Sequence, residues 1–291
     1  GHDPAMIAFY GLAGAPLHWQ RIPIYPKRFN PSGLAVADAH SVHHRSQLLI
    51  SLIDAWVLAP DVIGKHVPWA PWFPVDSEPL PAIIRDKVKA APFRIVFSRF
   101  GERMVQDAGL DCYYVPHGVD TKAFHPIDQA EARKALNWPV DAFIVGMVAA
   151  NKGNPSRKAF IPQIEAFAAL KKKHPDAILY LHTFKSEKGE YDGVNLPEFI
   201  EYVGLKVGTD VVFPDQYTYS AVGGFPDDHM SKMYSALDVH MLVTMGEGFG
   251  IPTLEAQACG VPVIGGAWTA TEELIMSGWQ VPKEEADRWW T

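Results

Sequence analysis

Cysteine is almost missing from this 291-residue chain, which contains only Cys112 and Cys259, far apart in the sequence. A disulfide framework is therefore not expected, and a reducing, cytoplasmic environment is predicted. Long apolar runs are missing as well: there is no stretch of about 18 apolar residues, so no membrane-spanning helix is predicted. The start of the chain also lacks the pattern of a signal peptide. These absences favour a cytoplasmic globular protein and leave only a peripheral membrane association open.

Clusters of positive charge are also rare. Lysine and arginine total 26 against 33 for aspartate and glutamate, which gives a formal net charge of -7, and no long basic run occurs. Nucleic acid is therefore not an expected partner, because nucleic-acid-binding domains carry basic patches. A chain with this charge balance must bind any phosphate group with local side chains rather than with a general positive field.

The second half of the chain contains a regular alternation of apolar and amphipathic stretches. Short apolar runs predict strands at 143–148, 178–181, 211–213, 239–243 and 261–264. Helical spacing of apolar residues predicts helices at 156–173, 197–203, 227–236 and 252–259. Strands that alternate with helices predict a parallel, doubly wound sheet.

The first half is richer in proline and tryptophan. Apolar runs predict strands at 6–10, 48–53, 93–97 and 112–115, of which 48–53 reads as a buried strand. Ser98 is expected to cap a helix that ends before Gly109. The proline-rich stretch 67–81 predicts loop or edge-strand structure. Chain length and a connector near 121–141 predict two domains, 1–130 and 131–291.

The most informative segment is the glycine-rich run from Gly246 to Glu255, which lies between a predicted strand and a predicted helix. Glycine allows a tight turn and a close backbone approach, Pro252 suits the first helical position, and Gly260 suits the position just after the helix. Ligands of open parallel sheets bind at the carboxyl ends of the strands, and a helix N-terminus attracts phosphate. The segment therefore predicts a pyrophosphate site.

Two carboxylates, Glu247 and Glu255, frame this predicted anion site. Carboxylates repel phosphate, so we expect them to accept hydrogen bonds from hydroxyl groups, which a sugar and a ribose both carry. The simpler interpretation is that Glu255 only stabilises the helix N-terminus and that Glu247 is solvated. The presence of both residues around one glycine loop favours the binding of two polyol groups.

A second candidate site is the segment 151–158, which also follows a predicted strand and opens a predicted helix. It holds Asn151, Lys152, Arg157 and Lys158 around a turn with glycine and proline. Charge-assisted hydrogen bonds to phosphate contribute about 1.5–3 kcal/mol each. The alternative, a solvated basic helix start, is disfavoured by the helix dipole. The segment therefore predicts a second group of phosphate ligands.

Together these segments resemble glycosyltransferase family four, the group-one glycosyl transferases of GT-B fold. The resemblance lies in the Glu247 and Glu255 pair with seven residues between them, in the run 255–263, and in the turn 116–120. It includes the basic pair, in which Lys152 stands where the family commonly has arginine and keeps the charge without the planar fork. The resemblance implies an α/β fold of two Rossmann-like domains facing a cleft, the first incomplete at its start and the second at its end.

The resemblance also implies roles for individual residues. Lys152 and Lys158 are expected to hold the donor diphosphate and Glu247 to contact the transferred sugar, so all three are catalytic candidates. Glu255 is expected to hold the ribose hydroxyls, and Val212 is expected to flank the base. The other substrate-binding candidates, which include the backbone amides of the glycine loop, are Asn151, Arg157, Gly248, Phe249, Gly250 and Thr253.

The reaction implied by this resemblance moves a sugar from a UDP- or GDP-sugar to a saccharide, lipid or other hydroxyl acceptor and retains the anomeric configuration. The acceptor attacks from the side of the leaving group, and the cations stabilise the departing phosphate. No metal and no cofactor are expected. The alternatives are an epimerase or a phosphorylase of the same fold, and a nucleotide-sugar-binding relic or fragment without turnover.

A position in the first domain also departs from the family pattern. Members often carry a histidine on a central strand of the first domain, near the reacting carbon. The corresponding stretch here, 72–76, has no histidine, and Asp76 is its nearest polar candidate for a catalytic role. The alternative for Asp76 is a turn residue that caps the following loop.

Other polar and aromatic groups give weaker signals. His40, His43 and His44 lack an accompanying carboxylate or cysteine cluster, so packing is expected rather than a metal site. The tryptophans of the run 69–72 are expected in the core rather than against a sugar acceptor. His117, beside Gly118, fits a cleft-lining role and a turn role equally well.

Overall fold

The computed structural model describes residues 2–8, 14–27, 33–186, 193–221 and 224–283. The chain divides into two compact units, Gly1–Pro116 and His117–Thr291. The division comes before the boundary predicted at residue 130, because the predicted connector packs on the second unit. Phe124 is buried in a core of that unit, and Arg133 donates a hydrogen bond to the carbonyl of Ala236 at 2.9 Å.

The first unit contains two sheets. Its strands are β1 (Met6–Ile7), β2 (Leu17–Trp19), β3 (Ile22–Tyr25), β4 (Leu49–Leu52), β5 (Trp69–Phe73), β6 (Ile95–Val96) and β7 (Tyr113–Tyr114). Its helices are α1 (Leu34–His43), α2 (Ala82–Val88) and α3 (Arg99–Asp107). A small sheet has the order β1-β3-β2, and a parallel sheet has the order β4-β5-β6-β7. Residues 9 and 10 of the first predicted strand lie outside the described residues.

The prediction of loop or edge structure for the proline-rich stretch 67–81 was wrong for residues 69–73 and right for the loop at 74–81. Residues 69–73 form β5, which pairs with β4 on one side and with β6 on the other. Burial of large apolar side chains outweighs the prolines, since Trp69 and Phe73 lie in the core of this unit. Pro71 is tolerated because the described pairing with β6 involves only Trp72 and Phe73.

The strand predicted to be buried at 48–53 is instead the edge strand β4. Leu49 packs against the core, but Ile50 and Leu52 are 53% and 58% exposed. The register places Leu52 in one row with Tyr113, which is 60% exposed. One face of this sheet therefore carries exposed apolar side chains.

The capping signals of α3 were predicted correctly. The Ser98 hydroxyl accepts a hydrogen bond from the amide of Gly101 at 3.0 Å. Gly109 follows the helix with a φ of +78°, a conformation that favours glycine. Local sequence alone is enough to place the two ends of this helix.

The second unit is built on one larger sheet. Its strands are β8 (Ile144–Val148), β9 (Ile178–His182), β10 (Val211–Val212), β11 (Val239–Leu242), β12 (Val263–Gly266) and β13 (Gly278–Val281). Its helices are α4 (Gln129–Ala135), α5 (Phe160–Lys173), α6 (Leu196–Tyr202), α7 (Gln216–Ala221), α8 (Asp227–Ser235), α9 (Ile251–Ala258) and α10 (Thr271–Leu274). Every strand and helix predicted after residue 140 is present, with shifted ends. Helix α5 begins later than predicted, because Ala159 has a φ of +51°, so the basic segment is a loop.

The strand order of this sheet is β10-β9-β8-β11-β12-β13, with parallel pairing throughout. The chain winds outward from β8 to β10, returns to β11 beside β8, and then winds outward in the other direction. The order therefore reverses between β8 and β11. In open parallel sheets, the ligand crevice lies at the carboxyl ends of the strands at such a reversal.

Both faces of the larger sheet are packed. On one face, Met147 and Leu181 join the core of α5 and α6. On the other face, Tyr180 and Val263 join Tyr234 in a core shared with α8 and α9. In the described part of the chain, no helix combines the length and the hydropathy needed to cross a membrane.

Candidate functional site

The loops that follow β8 and β11 meet at the reversal of the strand order. Residues 149–159 lead from β8 to α5, and residues 243–250 lead from β11 to α9. These are the two segments that the sequence predicted independently as a basic site and a glycine-rich site. The parallel order of the sheet brings them to adjacent strand ends.

Hydrogen bonds join the glycine loop to the loop that follows β12. The amide of Glu247 donates to the hydroxyl of Thr269 at 3.1 Å, and the amide of Ala270 donates to the carbonyl of Glu247 at 3.2 Å. The indole of Trp268 donates to the carbonyl of Thr244 at 2.9 Å. These bonds fix the backbone of the glycine loop at Glu247.

The backbone of the glycine loop is suited to an anion. The amides of Gly248 and Gly250 are buried and make no hydrogen bond within the described residues. Gly250 has a φ of +102°, and an added Cβ would meet the Cγ of Glu247 at 3.3 Å, so a larger residue would be strained here. Buried amides without partners are uncommon. They are the groups that a phosphate or sugar oxygen can satisfy.

Lys158 and Arg157 connect the basic loop to the glycine loop. Lys158 forms an ion pair with Glu247, in which the two side chains are 17% and 11% exposed. Arg157 donates to the carbonyl of Gly246 and lies 3.9 Å from a Glu247 oxygen. These two cations neutralise Glu247, whose charge alone would repel a phosphate. Lys152 lies on an exposed part of the same loop.

Helix α9 carries Thr253 and Glu255 at the other end of the glycine loop. The hydroxyl of Thr253 is buried and has no hydrogen-bond partner in the described structure. Glu255 accepts a hydrogen bond from Tyr234 at 2.7 Å. Burial raises the pKa of Glu255, the Tyr234 bond opposes this shift, and the charge of Asp227 adds to it. Glu255 is half-buried, and Tyr234 bonds only its Oε2 atom.

The side chain of Asn151 is bonded to the backbone of the same unit. Its amide nitrogen donates to the carbonyls of Phe184 and Val194, at 3.2 and 2.8 Å, and its oxygen accepts from the amide of Val194 at 3.0 Å. The side chain is buried and holds the backbone near residue 194. These contacts give it a structural role, and direct ligand binding by Asn151 has no support in them.

Three further predicted residues are placed as follows. Phe249 is buried in the glycine loop, and its ring meets His117 edge-on at 5.1 Å. Val212 is half-buried at the end of β10. Asp76 is half-buried and follows β5, the strand of the first unit between β4 and β6. Its catalytic role stays a prediction.

The histidines at 40, 43 and 44 surround one tyrosine rather than a metal. Tyr25 stacks on His40 at 4.8 Å and meets His43 and His44 edge-on. No group of three or more metal-ligating side chains is found among the described residues. Trp69 is buried in the core as predicted, and the half-buried Trp72 donates to the carbonyl of Val115 at 2.9 Å.

Sequence analysis missed an aromatic group at the end of β9. His182 is buried, its Nδ1 atom lies 3.0 Å from the Tyr180 hydroxyl, and Tyr219 and Phe225 contact its ring edge-on. The available signal was a histidine at the carboxyl end of a predicted strand. It was not used because the predicted strand ended one residue earlier, at 181.

Comparison with known proteins identifies the class. The profile of the family "Glycosyl transferases group 1" matches residues 142–290, just over half of the chain. The chain therefore belongs to the group 1 glycosyl transferases. The match covers the larger sheet and both loops at its reversal, which confirms the family resemblance of the sequence.

Two curated relatives illustrate the range of similar proteins. A D-inositol 3-phosphate glycosyltransferase from Saccharomonospora viridis is 30% identical over 182 residues, 60% of this chain and 39% of that protein. The lipopolysaccharide core biosynthesis mannosyltransferase LpsB from Rhizobium meliloti is 29% identical over 232 residues, 69% of this chain and 60% of that protein. The chain thus spans only about 39–60% of the length of these relatives.

Solved structures confirm the predicted GT-B fold class. Sucrose-phosphate synthase from Thermosynechococcus elongatus matches 96% of this chain and 76% of its own, with a TM-score of 0.75 and 20% identity. Anabaena HepE in complex with UDP-glucose matches 90% of this chain and 72% of its own, with a TM-score of 0.68 and 18% identity. At these identities the likeness establishes the fold.

Proposed function

We propose that this chain binds a UDP- or GDP-sugar at the carboxyl edge of the larger sheet and transfers the sugar to a hydroxyl acceptor with retention of configuration. The observation that carries the proposal is the Lys158–Glu247 ion pair, which joins the two loops at the reversal of the strand order. A cation suited to phosphate and a carboxylate suited to sugar hydroxyls lie side by side in this pair.

Each part of the donor has a suitable partner in this arrangement. The amides of Gly248 and Gly250, with Lys158 and Lys152, suit the diphosphate. Glu247 suits the hydroxyls of the transferred sugar, and Glu255 suits those of the ribose. The UDP-glucose complex of the structurally similar HepE supports a nucleotide-sugar donor.

The chemistry requires stabilisation of the charge that develops on the leaving phosphate. Lys158 and Lys152 supply positive charge there without a metal ion, and the loop amides add fixed dipoles. Glu247 accepts hydrogen bonds from the sugar while Lys158 neutralises it. The acceptor hydroxyl, of a saccharide, lipid or other molecule, attacks from the leaving-group side, and the departing phosphate takes its proton. Asp76 stays the catalytic candidate of the first unit.

Titration calorimetry with UDP and GDP tests the donor site. Lys158→Ala should weaken the binding of the preferred nucleotide by about 10- to 100-fold, because one charge-assisted bond is lost and Glu247 loses its nearest cation. The matched control is Lys171→Ala, which breaks a similarly shielded ion pair with Asp210 in the same unit. Equal losses in both variants, or no binding of either nucleotide, would contradict the proposal.

A further inference from the structure

Five aromatic side chains form a cluster at the carboxyl ends of β9 and β10. The aromatic cluster consists of His182, Phe184, Tyr219, Phe225 and His229. Tyr219 and Phe225 contact the His182 ring edge-on at 5.3 and 5.4 Å, and Phe225 stacks on His229 at 4.6 Å. Tyr219, Phe225 and His229 are only half-buried. The cluster thus presents ring surface at the edge of the sheet.

Tyr180 and Tyr234 connect the aromatic cluster to the proposed ribose site. His182 lies on the same sheet face as Tyr180, which shares a core with Tyr234. Tyr234 in turn bonds Glu255 at 2.7 Å. A nucleotide with its diphosphate at β8 and β11 and its ribose at Glu255 therefore has its base next to β9.

The loop after β12, on the other side of the strand-order reversal, offers fewer groups to a base. The hydroxyl of Thr271 donates to the carbonyls of Gly266 and Trp268, at 2.9 and 2.8 Å. The hydroxyl of Thr269 accepts from Glu247, and the Trp268 indole donates to Thr244. These polar groups serve the loop after β12 itself, whereas the side of β9 presents half-buried rings on which a base can stack.

The hydrogen bond with Tyr180 decides which ring nitrogen of His182 carries the proton. Tyr180 is 4% exposed, and the only hydrogen bond of its hydroxyl within the described residues is to Nδ1 of His182. The hydroxyl satisfies its proton by donating it to Nδ1, because the other arrangement leaves a buried O–H without a partner. Nδ1 is then the acceptor, and Nε2 carries the hydrogen. Nε2 makes no hydrogen bond to the described part of the chain.

The protonation state agrees with this assignment. Burial lowers the pKa of His182 to about 4, and the nearby His229 contributes to the shift. The ring is therefore neutral near pH 7, with a single N–H donor and a single acceptor. Because Nδ1 is occupied by Tyr180, the neutral ring offers one donor, Nε2, and this donor favours an acceptor over another donor.

We infer that His182 selects the nucleobase of the donor, by donating from Nε2 to the O4 atom of uracil or the O6 atom of guanine and so favouring these bases over adenine and cytosine, which carry amino groups at those positions. This inference rests on the proposed function. Guanine O6 and the O4 atom of a uracil-type base accept hydrogen bonds, whereas adenine N6 and cytosine N4 donate them. An amino group facing Nε2 places two donors together and leaves both without a partner.

Titration calorimetry with UDP, GDP, CDP and ADP tests the selection. The unmodified chain should bind UDP or GDP at least about tenfold more tightly than both CDP and ADP. His182→Phe keeps a ring but removes the donor, so it should weaken the preferred nucleotide by about tenfold and leave CDP and ADP unchanged or bound somewhat more tightly. His174→Phe, at the exposed end of α5, is the matched control and should change none of the four.

Tyr180→Phe gives a second test, whose expected result differs from that of a purely structural role. The substitution removes the proton that fixes the tautomer, so discrimination between the two pairs of bases should shrink even where binding persists. Thermal midpoints of both variants verify folding. If nucleotides bind but His182→Phe weakens all four equally, or if Tyr180→Phe leaves discrimination intact, the inference is overturned and the proposed function stands. If no nucleotide binds, both are overturned.

Discussion

The parallel sheets of the two units differ in how their strands are ordered and in how their faces are packed. The larger sheet winds in two directions from β8 and β11, and cores lie on both of its faces. The sheet β4-β5-β6-β7 follows the chain in one direction and leaves Ile50, Leu52 and Tyr113 exposed on one face. The doubly wound sheet thus has a reversal point with two loops side by side, and the other sheet does not.

This difference explains why the candidate site is better defined in the second unit than in the first. At the reversal point, Lys158, Glu247 and the loop amides are brought together and held by hydrogen bonds from the next loop. In the first unit, Asp76 follows a single strand end. Donor binding is therefore predicted to depend on the second unit, and four measurements separate the two regions.

The largest expected effect concerns core packing. Leu181→Ala on β9 should lower the free energy of unfolding by about 2–5 kcal/mol, because the side chain is fully buried. Leu52→Ala on β4 should lower it by about 0.5 kcal/mol or less, because this leucine is 58% exposed. Hydrogen exchange of peptides from each unit measures both. Similar losses of protection would contradict the difference in packing between the sheets.

The second prediction is that one substitution strengthens nucleotide binding and weakens sugar transfer. Glu247→Gln removes the partner of Lys158, so affinity for free UDP or GDP should rise by roughly threefold to tenfold as the cation becomes available to phosphate. Transfer from the matching nucleotide sugar should fall, because the sugar contact is weakened. Calorimetry and product release measured side by side check the opposite signs. A loss of nucleotide affinity would show that the pair does not compete with phosphate.

The third prediction concerns the support of Glu255. Tyr234→Phe removes its 2.7 Å hydrogen bond and should weaken nucleotide binding by about three- to tenfold. Binding needs the ionised carboxylate, so affinity falls as pH decreases through the pKa of Glu255, which burial raises. The Tyr234 bond lowers that pKa, so the variant should lose affinity at a higher pH than the unmodified chain. An unshifted pH profile would leave Tyr234 with a packing role only.

The smallest effect on donor affinity is expected in the first unit. Asp76→Asn should change UDP or GDP affinity by less than about twofold, since the residues proposed to bind the donor all lie in the second unit. Its effect should appear instead in the rate of transfer to the acceptor. Ser77→Ala, at the neighbouring half-buried position, is the matched control. A large loss of nucleotide affinity in Asp76→Asn would contradict the prediction that donor binding depends on the second unit.

Local signals predicted much of the fold. Apolar runs located all the strands predicted after residue 140, and Ser98 with Gly109 located the ends of α3. The errors occurred where long-range contacts outweighed local preference. Core burial of Trp69 and Phe73 made a strand of a proline-rich stretch, and the edge position of β4 exposed a run that looks buried in the sequence.

The candidate site was predictable to the extent that its residues share short motifs. Glu247, Glu255 and the basic loop could be found because their spacing is visible along the chain. The aromatic cluster around His182 could not, since Tyr180, Tyr219 and Phe225 come from separate elements. Nor could the sequence show that the side chain of Asn151 is occupied by backbone groups near Val194.

By itself, the sequence determined the alternation of strands and helices, the family, and the two segments with the chemistry for a phosphate and a sugar. Only the tertiary structure decided that these segments meet, because strand order is set by pairing between residues far apart in the chain. Lys158 and Glu247 are 89 positions apart, and no local pattern specifies their ion pair. It exists because β8 and β11 are neighbours in the sheet.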